Sequence, residues 1–442
     1  MLTDAFKKLT LPCLFSAITL SVPLAISAAT DIPAKSPSPT AAAVSNDWPQ
    51  IGGVARDGKS AETGLLKQWP AGGPALVWKV KNLGAGMGGV AVTGSRVYTS
   101  SDTDGSACAI ALNESDGHEI WRAKVGKGGS VGGGANSYEG PRGTPSVSDG
   151  HVYIVTQYGD VSCLDAANGK EIWHKSLPSD LSGKMMSGWG FSESPLVDGD
   201  KVIVTPGGSR GTLAALNAAT GEVIWRTKAW TDSAAYASAI AATIGDVHQY
   251  IQLTDKSVAG VNPTDGAILW KAPRKGTTAV IPTVIYSDGY VYVTSGYGIG
   301  CDLFKISSDG GKFTATPVYS QNKLMKNHHG GVVLVDGKIY GYSDQVGWVC
   351  QDFVTGKEVW KEKNKLGKGS IAYADGHLYL RQEDRKGTIA LIEASPAGYN
   401  EVGHFDQPDR SSENSWPHPV IANGKLYIRD QETLLCYDVK AK

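Results

Sequence analysis

The chain has 442 residues, a net charge of −1, 41% hydrophobic and 19% charged residues, and 55 glycines. Near-neutral charge without a basic stripe argues against a nucleic-acid partner, because such a surface cannot neutralise phosphates. No Lys/Arg run points to a membrane surface. The glycine excess fits a protein built largely from tight turns.

Residues 1–29 read as a signal peptide. Lys7 and Lys8 form a basic start, Leu9 to Ile26 is apolar, and Ser27-Ala28-Ala29 supplies a small-residue cleavage site, with cutting expected after Ala29. Pro12 and Pro23 interrupt the run, which weakens it as a membrane span. Cys13 sits early in the run behind Thr10-Leu11-Pro12, a poor lipobox, so lipidation there is not expected. Residues 30–46, rich in Pro, Ala and Ser, bury too little surface to offset ordering and read as a flexible linker. Residues 47–442 read as one body.

Two repeating signals organise that body. One is a glycine four residues before a tryptophan: Gly117/Trp121, Gly169/Trp173, Gly221/Trp225, Gly266/Trp270 and Gly356/Trp360. The spacings between tryptophans are 52, 52, 45 and 90, so a degenerate copy is expected inside the last gap. The glycine supplies a turn; the strand after it carries the aromatic to a fixed place between repeats. The second signal is a two-residue turn between short β-rich runs. It is written as Asp149-Gly150, Asp198-Gly199, Asp288-Gly289, Asp336-Gly337, Asp375-Gly376 and Asn423-Gly424, with weaker forms at Gly94 and Gly245. Eight hairpins of this length imply an all-β, eight-bladed propeller of four-stranded blades.

Approximate blade bodies are 86–125, 140–177, 190–229, 236–273, 280–320, 328–363, 368–405 and 416–442. Blade 5 ends near Val318-Tyr319 and blade 7 near Phe405, without a docking tryptophan. The last blade runs out after its third strand, at Leu434-Leu435-Cys436-Tyr437. Its outer strand is expected from upstream, as Pro74-Ala75-Leu76-Val77-Trp78, closing the ring and removing open edges. The structural docking residues are then Trp78, Trp121, Trp173, Trp225, Trp270 and Trp360. Cys163, Cys350 and Cys436 recur at one place on three third strands, too far apart for disulfides, and read as small buried hydrophobes. Cys108 and Cys301 are placed in second-to-third-strand turn regions, with no pairing indicated. No Cys-x-x-Cys-His haem site is present.

This pattern resembles the tryptophan-docking propellers of the quinoprotein (PQQ) alcohol dehydrogenase-like superfamily, carried best by Cys163 through Trp173 and by Asp352 through Trp360. Asp47-Trp48-Pro49-Gln50 and His328-His329-Gly330-Gly331 look like a secreted bacterial PQQ-like branch. The resemblance implies the fold. For function it leaves open quinone-dependent dehydrogenases and non-catalytic scaffolds such as the propeller lipoprotein of the outer-membrane barrel-assembly machinery.

In such a ring the segments leading into the innermost strands converge on the central channel. Read off the sequence, they supply Arg142, Trp189, Glu193, Tyr236, His328, His329, Lys368, Trp416 and His418 as candidate ligand-binding residues. Of the adjacent histidines, strand alternation would send only one to the channel. Arg142 and Glu193, from consecutive blades, are expected to pair, keeping Glu193 ionised. The bland alternative is that these groups merely fill and hydrate the channel mouth.

A quinoprotein enzyme would need an aromatic floor (Trp189 or Trp416), Arg142 at the quinone oxygens, Ca²⁺ on Glu193 and an Asp base. No Asp stands clearly at these positions, and the adjacent Cys-Cys pair of the methanol dehydrogenase branch is absent. No metal-ligand set, catalytic triad or phosphate loop rises above background, and catalytic residues are not assigned. The favoured reading is an exported, periplasmic or secreted, non-catalytic scaffold of the cell envelope, binding a small molecule, a peptide or an envelope protein. A PQQ- and Ca²⁺-dependent alcohol or sugar dehydrogenase, and an envelope structural or carbohydrate-adhesion propeller, are the alternatives.

Overall fold

The computed structural model describes residues 46–132, 139–384 and 386–442. The expected signal peptide and linker, including Cys13, lie outside the described residues.

Among the described residues, thirty-two strands form eight four-stranded antiparallel sheets. Blade 1 is β2 (Ala91–Thr93), β3 (Arg96–Thr103), β4 (Ser106–Asn113) and β5 (Glu119–Lys127), and blades 2 to 7 repeat this order. Its inner strand is only three residues long, and so are β6 (Ser146–Ser148), β10 (Leu196–Asp198), β18 (Ile285–Ser287) and β30 (Val420–Ala422). Short inner strands leave loop backbone and side chains to line the channel.

Type I′ geometry requires positive φ at both central turn residues. Asp149 and Gly150 have φ of 48° and 75°, and Asn423 and Gly424 have 55° and 71°. In blade 3 the two turn residues are Gly199-Asp200, because Asp198 still pairs with Lys201.

The ring closes as expected. β1 (Ala75–Val80) pairs antiparallel with β32 (Thr433–Asp438) and completes the last blade, so that blade's sheet order is β1-β32-β31-β30, with β31 at Lys425–Asp430.

Neighbouring blades are joined by the recurrent glycine and tryptophan, one from each. Indole Nε1 of Trp78, Trp121, Trp173, Trp225 and Trp360 donates to a carbonyl of the next blade: Glu114, Ala166, Ala218, Pro263 and Ser395, at 2.8–3.0 Å. For Trp78, Trp121, Trp173 and Trp225 the turn glycine of the next blade (Gly117, Gly169, Gly221 and Gly266) lies on the indole face. A Cβ on Gly169 would stand 2.6 Å from Trp121 Cε3, and Gly169 has φ of 75°.

Trp270 departs from the expected docking. Its Nε1 donates to Gln249 Oε1 of its own blade at 2.6 Å. The reason lies in blade 5, whose β20 (Gly300–Asp309) and β21 (Lys312–Asn322) form a long hairpin that carries its Gly310-Gly311 turn away from the indole, with no atom within 4 Å of a Cβ on either glycine. The degenerate copy in the 90-residue gap is Tyr319, whose hydroxyl donates to Phe353 O at 2.9 Å. In blade 7, Phe405 packs against Trp69 and Tyr437 at centroid distances of 5.4 and 4.9 Å.

All five described cysteines are free and buried. Cys108 and Cys301 lie within third strands β4 and β20, not in the turns before them.

One element was not anticipated. Residues 48–62 run across the interior of the ring. Trp48 exchanges both backbone hydrogen bonds with Val92 of blade 1, and Pro49 O accepts from Val147 N of blade 2. Arg56 donates to Ser194 O and Pro195 O of blade 3. Ser60 N donates to Tyr373 O of blade 7, and Glu62 Oε2 accepts from Gly424 N of blade 8. The segment is a plug across the channel.

Candidate functional site

The plug turns the channel into a cup of about 430 Å³. Trp48, Ile51 and Gly52 come from the plug; the rest of the lining comes from the lead-in segments and one loop of blade 5. Seven of the nine candidate residues line it: Arg142, Trp189, Tyr236, His328, His329, Trp416 and His418. Arg142 and His418, at the sequence extremes of the set, thus share one cavity.

Both histidines reach the cup. They precede β22 (Val332–Val335) in loop backbone, so strand alternation does not apply to them. Four rings run in series, Tyr297–His328–His329–Trp416, with centroids 5.0, 4.3 and 4.7 Å apart. Glycine makes the approach possible. Gly331 has φ of 71°, and a Cβ on it would stand 2.5 Å from His418 Cε1. His418 Nε2 lies 3.2 Å from His329 O. Burial pulls all three imidazoles below the ordinary histidine value, His328 to about 4 with Lys368 as the next cause. At neutral pH they are uncharged.

Glu193 is not on the cup. It is 2% exposed, and its Oε1 accepts from Thr205 N at 2.6 Å. The charge opposing it is Arg56 of the plug, whereas Arg142 donates to Trp189 O. Desolvation outweighs these partners and pushes Glu193 up to about 7, so the expected Arg142 pairing and a firmly ionised Glu193 are both corrected. Burial within the blade, not the lead-in position, decides its role.

Lys368 is also off the cup. It lines an adjoining polar groove with Tyr342, Asp344 and Gln345, a groove that shares Tyr297 and His328 with the cup. There Lys368 Nζ lies 3.0 Å from Asp344 Oδ1 and 2.5 Å from His328 Nδ1. Behind the ring series, Glu383 Oε2 is 3.2 Å from His329 Nε2, and burial raises that carboxyl to about 7.

Several lining residues were missed. Met87, Gly89 and Val90, and Thr278, Ala279, Ile281, Pro282 and Thr283, lead into β2 and β18, so the lead-in rule applied to blades 1 and 5 would have found them. Tyr297 had a different signal, a bulky residue between Gly296 and Gly298 in a short turn. Its φ is 52°, a region costly for an aromatic residue, and it is 59% exposed. Trp189, also beside glycines, is 39% exposed at the same cup.

Among the described residues no group of three or more His, Cys, Asp or Glu is arranged to hold a metal ion. Among the described residues that line the cup there is no Asp or Glu. The Asp base and Glu193 calcium ligand of the quinoprotein alternative therefore have no counterparts in the described lining.

A family model described as outer membrane protein assembly factor BamB matches residues 70–132 and 109–347. The chain belongs to that family. BamB of Shewanella oneidensis is 22% identical over 345 residues, 68% of this chain and 85% of the relative. BamB of Yersinia pestis is 26% identical over 335 residues, 72% and 77% of the two chains. Among solved structures, BamB from Moraxella catarrhalis superposes with a TM-score of 0.56 at 14% identity, covering 83% of this chain and 98% of that one. Quinohemoprotein alcohol dehydrogenase from Comamonas testosteroni gives 0.64 at 15% identity, covering 90% and 81%. At these identities the structural likenesses establish the shared PQQ-like propeller and nothing of its chemistry.

Proposed function

We propose that this protein is an exported, non-catalytic scaffold of the cell envelope that binds an envelope protein partner, with the cup as a second, small-ligand or peptide site. The observation that carries the reading is membership of the outer membrane protein assembly factor family, matched over more than half of the chain. The rigid ring suits the role: eight interlocked blades hold loops in fixed positions, and binding residues commonly sit on loops of such scaffolds. Arg142, Trp189, Tyr236, His328, His329, Trp416 and His418 are the proposed ligand-contacting residues, and Lys368 serves the adjoining groove. In this reading residues 1–29 direct export and residues 30–46 tether the propeller. The likeness to an alcohol dehydrogenase is one of fold and adds no support for PQQ- and Ca²⁺-dependent oxidation.

The test uses the affinity-tagged full chain expressed in its native host. Expected are removal of the leader after Ala29, recovery in the envelope fraction, and co-purification with outer-membrane assembly proteins. Retention uncut in the cytosol would overturn the export reading. Dye-linked oxidation of alcohols or sugars on addition of PQQ and Ca²⁺ would overturn the non-catalytic one.

A further inference from the structure

The cup disfavours charge. Burial holds the imidazoles of His328, His329 and His418 low and pushes the Tyr236 phenol up, so each is driven toward its neutral form. Among the described lining residues there is one Arg or Lys, Arg142, and no Asp or Glu. Arg142 is engaged from the protein side: its guanidinium donates to Trp189 O, and the charge of Asp102 acts on it. An anion entering the cup would exchange its water for an apolar wall and a cation that already has partners. A cation would meet Arg142 with no carboxylate of the described lining to receive it. Both lose solvation without a full return, and an uncharged ligand avoids that cost.

The wall itself favours rings. Tyr297, His328, His329 and Trp416 follow one another at centroid distances of 5.0, 4.3 and 4.7 Å, while Trp48 from the plug and Trp189 and Tyr236 from blades 3 and 4 add rings around the same cavity. Aromatic pairs at such spacings attract beyond the area they bury, so a planar ring gains here what an aliphatic body of equal size does not. Two of these rings are exposed, Tyr297 and Trp189. Tyr297 is held at φ 52°, a conformation costly for a bulky residue, and such strain gathers at binding sites.

We propose that the cup binds an uncharged aromatic group, set among Trp48, Trp189, Tyr297 and Trp416. This rests on the reading of the cup as a binding site, deepens it, and needs no envelope partner. A cavity of about 430 Å³ suits a body the size of one large aromatic residue with its backbone. Apart from Arg142 and the rings, the polar side chains of the described lining are neutral hydroxyls such as Ser192 and Thr278, which suit an amide or hydroxyl carried by that body. The chemistry is shared by free small aromatics and by the aromatic side chains of a polypeptide.

The experiment is calorimetric titration of the purified full chain at neutral pH with matched probes. N-acetyltryptophanamide is set against N-acetyltryptophan, which adds a negative charge, and N-acetyltryptamine against tryptamine, which carries a positive one. N-acetylleucinamide replaces the ring by an aliphatic group. Each neutral indole is expected to bind about tenfold or more tightly than its charged partner, and the tryptophan amide about fivefold or more tightly than the leucine amide. Tyr297→Gly keeps the backbone conformation, because glycine adopts positive φ freely, and should weaken N-acetyltryptophanamide by about fivefold or more. A charged probe binding as tightly as its neutral partner would overturn the proposal, as would a leucine amide of equal affinity. No measurable heat for N-acetyltryptophanamide at millimolar concentration would overturn it too, and so would an unchanged affinity in folded Tyr297→Gly. The wild-type ratios decide even if that variant fails to fold. A capped Gly-Gly-Trp-Gly-Gly peptide separates the two sources: affinity matching that of the amide assigns polypeptide side chains, and its exclusion while the amide binds assigns a small molecule. None of these outcomes bears on envelope co-purification, so the scaffold reading stands or falls separately.

Discussion

Each docking tryptophan faces a small residue on the strand beside it. Trp173 pairs with Cys163, Trp360 with Cys350, Trp78 with Cys436, Trp121 with Ala111 and Trp225 with Ala215. On the other side of that small residue stands a tyrosine in four of these blades, such as Tyr153 opposite Cys163. Two large rings flank a position that cannot itself be large, which is why cysteine, a small hydrophobe, recurs there without disulfide chemistry. Trp173→Ala is expected to cost roughly 3–5 kcal/mol, as for other large-to-small core changes. Chemical denaturation measures it, and a fully stable variant would show that the indole does not hold the blades together. Glu193 gives a pH prediction. Its folded value of about 7 lies above the ordinary carboxylate value of 4.5, so between those values the folded state holds a proton that the unfolded state has lost. Stability from this group is fullest below pH 4.5 and declines as pH rises through about 7. Glu383, raised to about 7, acts in the same direction. Glu193→Gln should flatten the fall of melting temperature between pH 5 and 8. An unchanged slope would mean that Glu193 does not titrate there.

At the scale of the strand, a bulge recurs just before the docking position, which holds an aromatic in seven blades and Gly403 in blade 7. Pairing skips Val77, Ile120, Ile172, Ile224, Leu269, Val318, Val359 and Val402, one residue in each of the eight blades. A bulge adds local twist and terminates regular pairing, which blunts an outer edge that would otherwise invite another strand. It also sends the skipped residue outward: Ile120, Ile172 and Ile224 are all exposed. Ile172→Thr should therefore change stability by less than about 0.5 kcal/mol, the usual range for a surface site. A loss comparable to that of Trp173→Ala would place Ile172 in a contact between blades.

The repeat itself was legible because turn glycines and docking aromatics are local and periodic. So was the convergence of Arg142, Trp189 and Trp416, since equal positions in equal repeats come to the same height around the axis. Glu193 failed for a different reason. Its position along the chain was right, but side-chain direction in a loop is set by tertiary packing, here by Thr205 N and by an arginine 137 residues upstream (193 − 56). The plug was hidden because Trp48 to Glu62 has no period of its own and takes its backbone partners from blades 1, 2, 7 and 8.

At the scale of the molecule, the last blade is completed at a noncovalent seam, where β1 lies on β32 and Trp78 docks on Glu114 O of blade 1, and the plug adds hydrogen bonds that tie blades 1 and 2 to blades 7 and 8. Every other blade is continuous in the chain, so the loss of one contact there leaves all four strands covalently connected. At the seam the outer strand comes from about 360 residues away (438 − 75), and its release turns β32 into an exposed edge. Local opening draws on contacts of this kind before global unfolding does. Trp78→Ala should cost about 3–5 kcal/mol, comparable to Trp173→Ala, yet its effect on amide exchange should differ. In Trp78→Ala the amides of Thr433–Asp438 should lose protection well before those of β8 (Asp160–Asp165), whereas Trp173→Ala should leave the seam protected. Exchange accelerated equally in both strands by both variants would mean that the ring opens as a whole and that the seam is no weaker than any other junction.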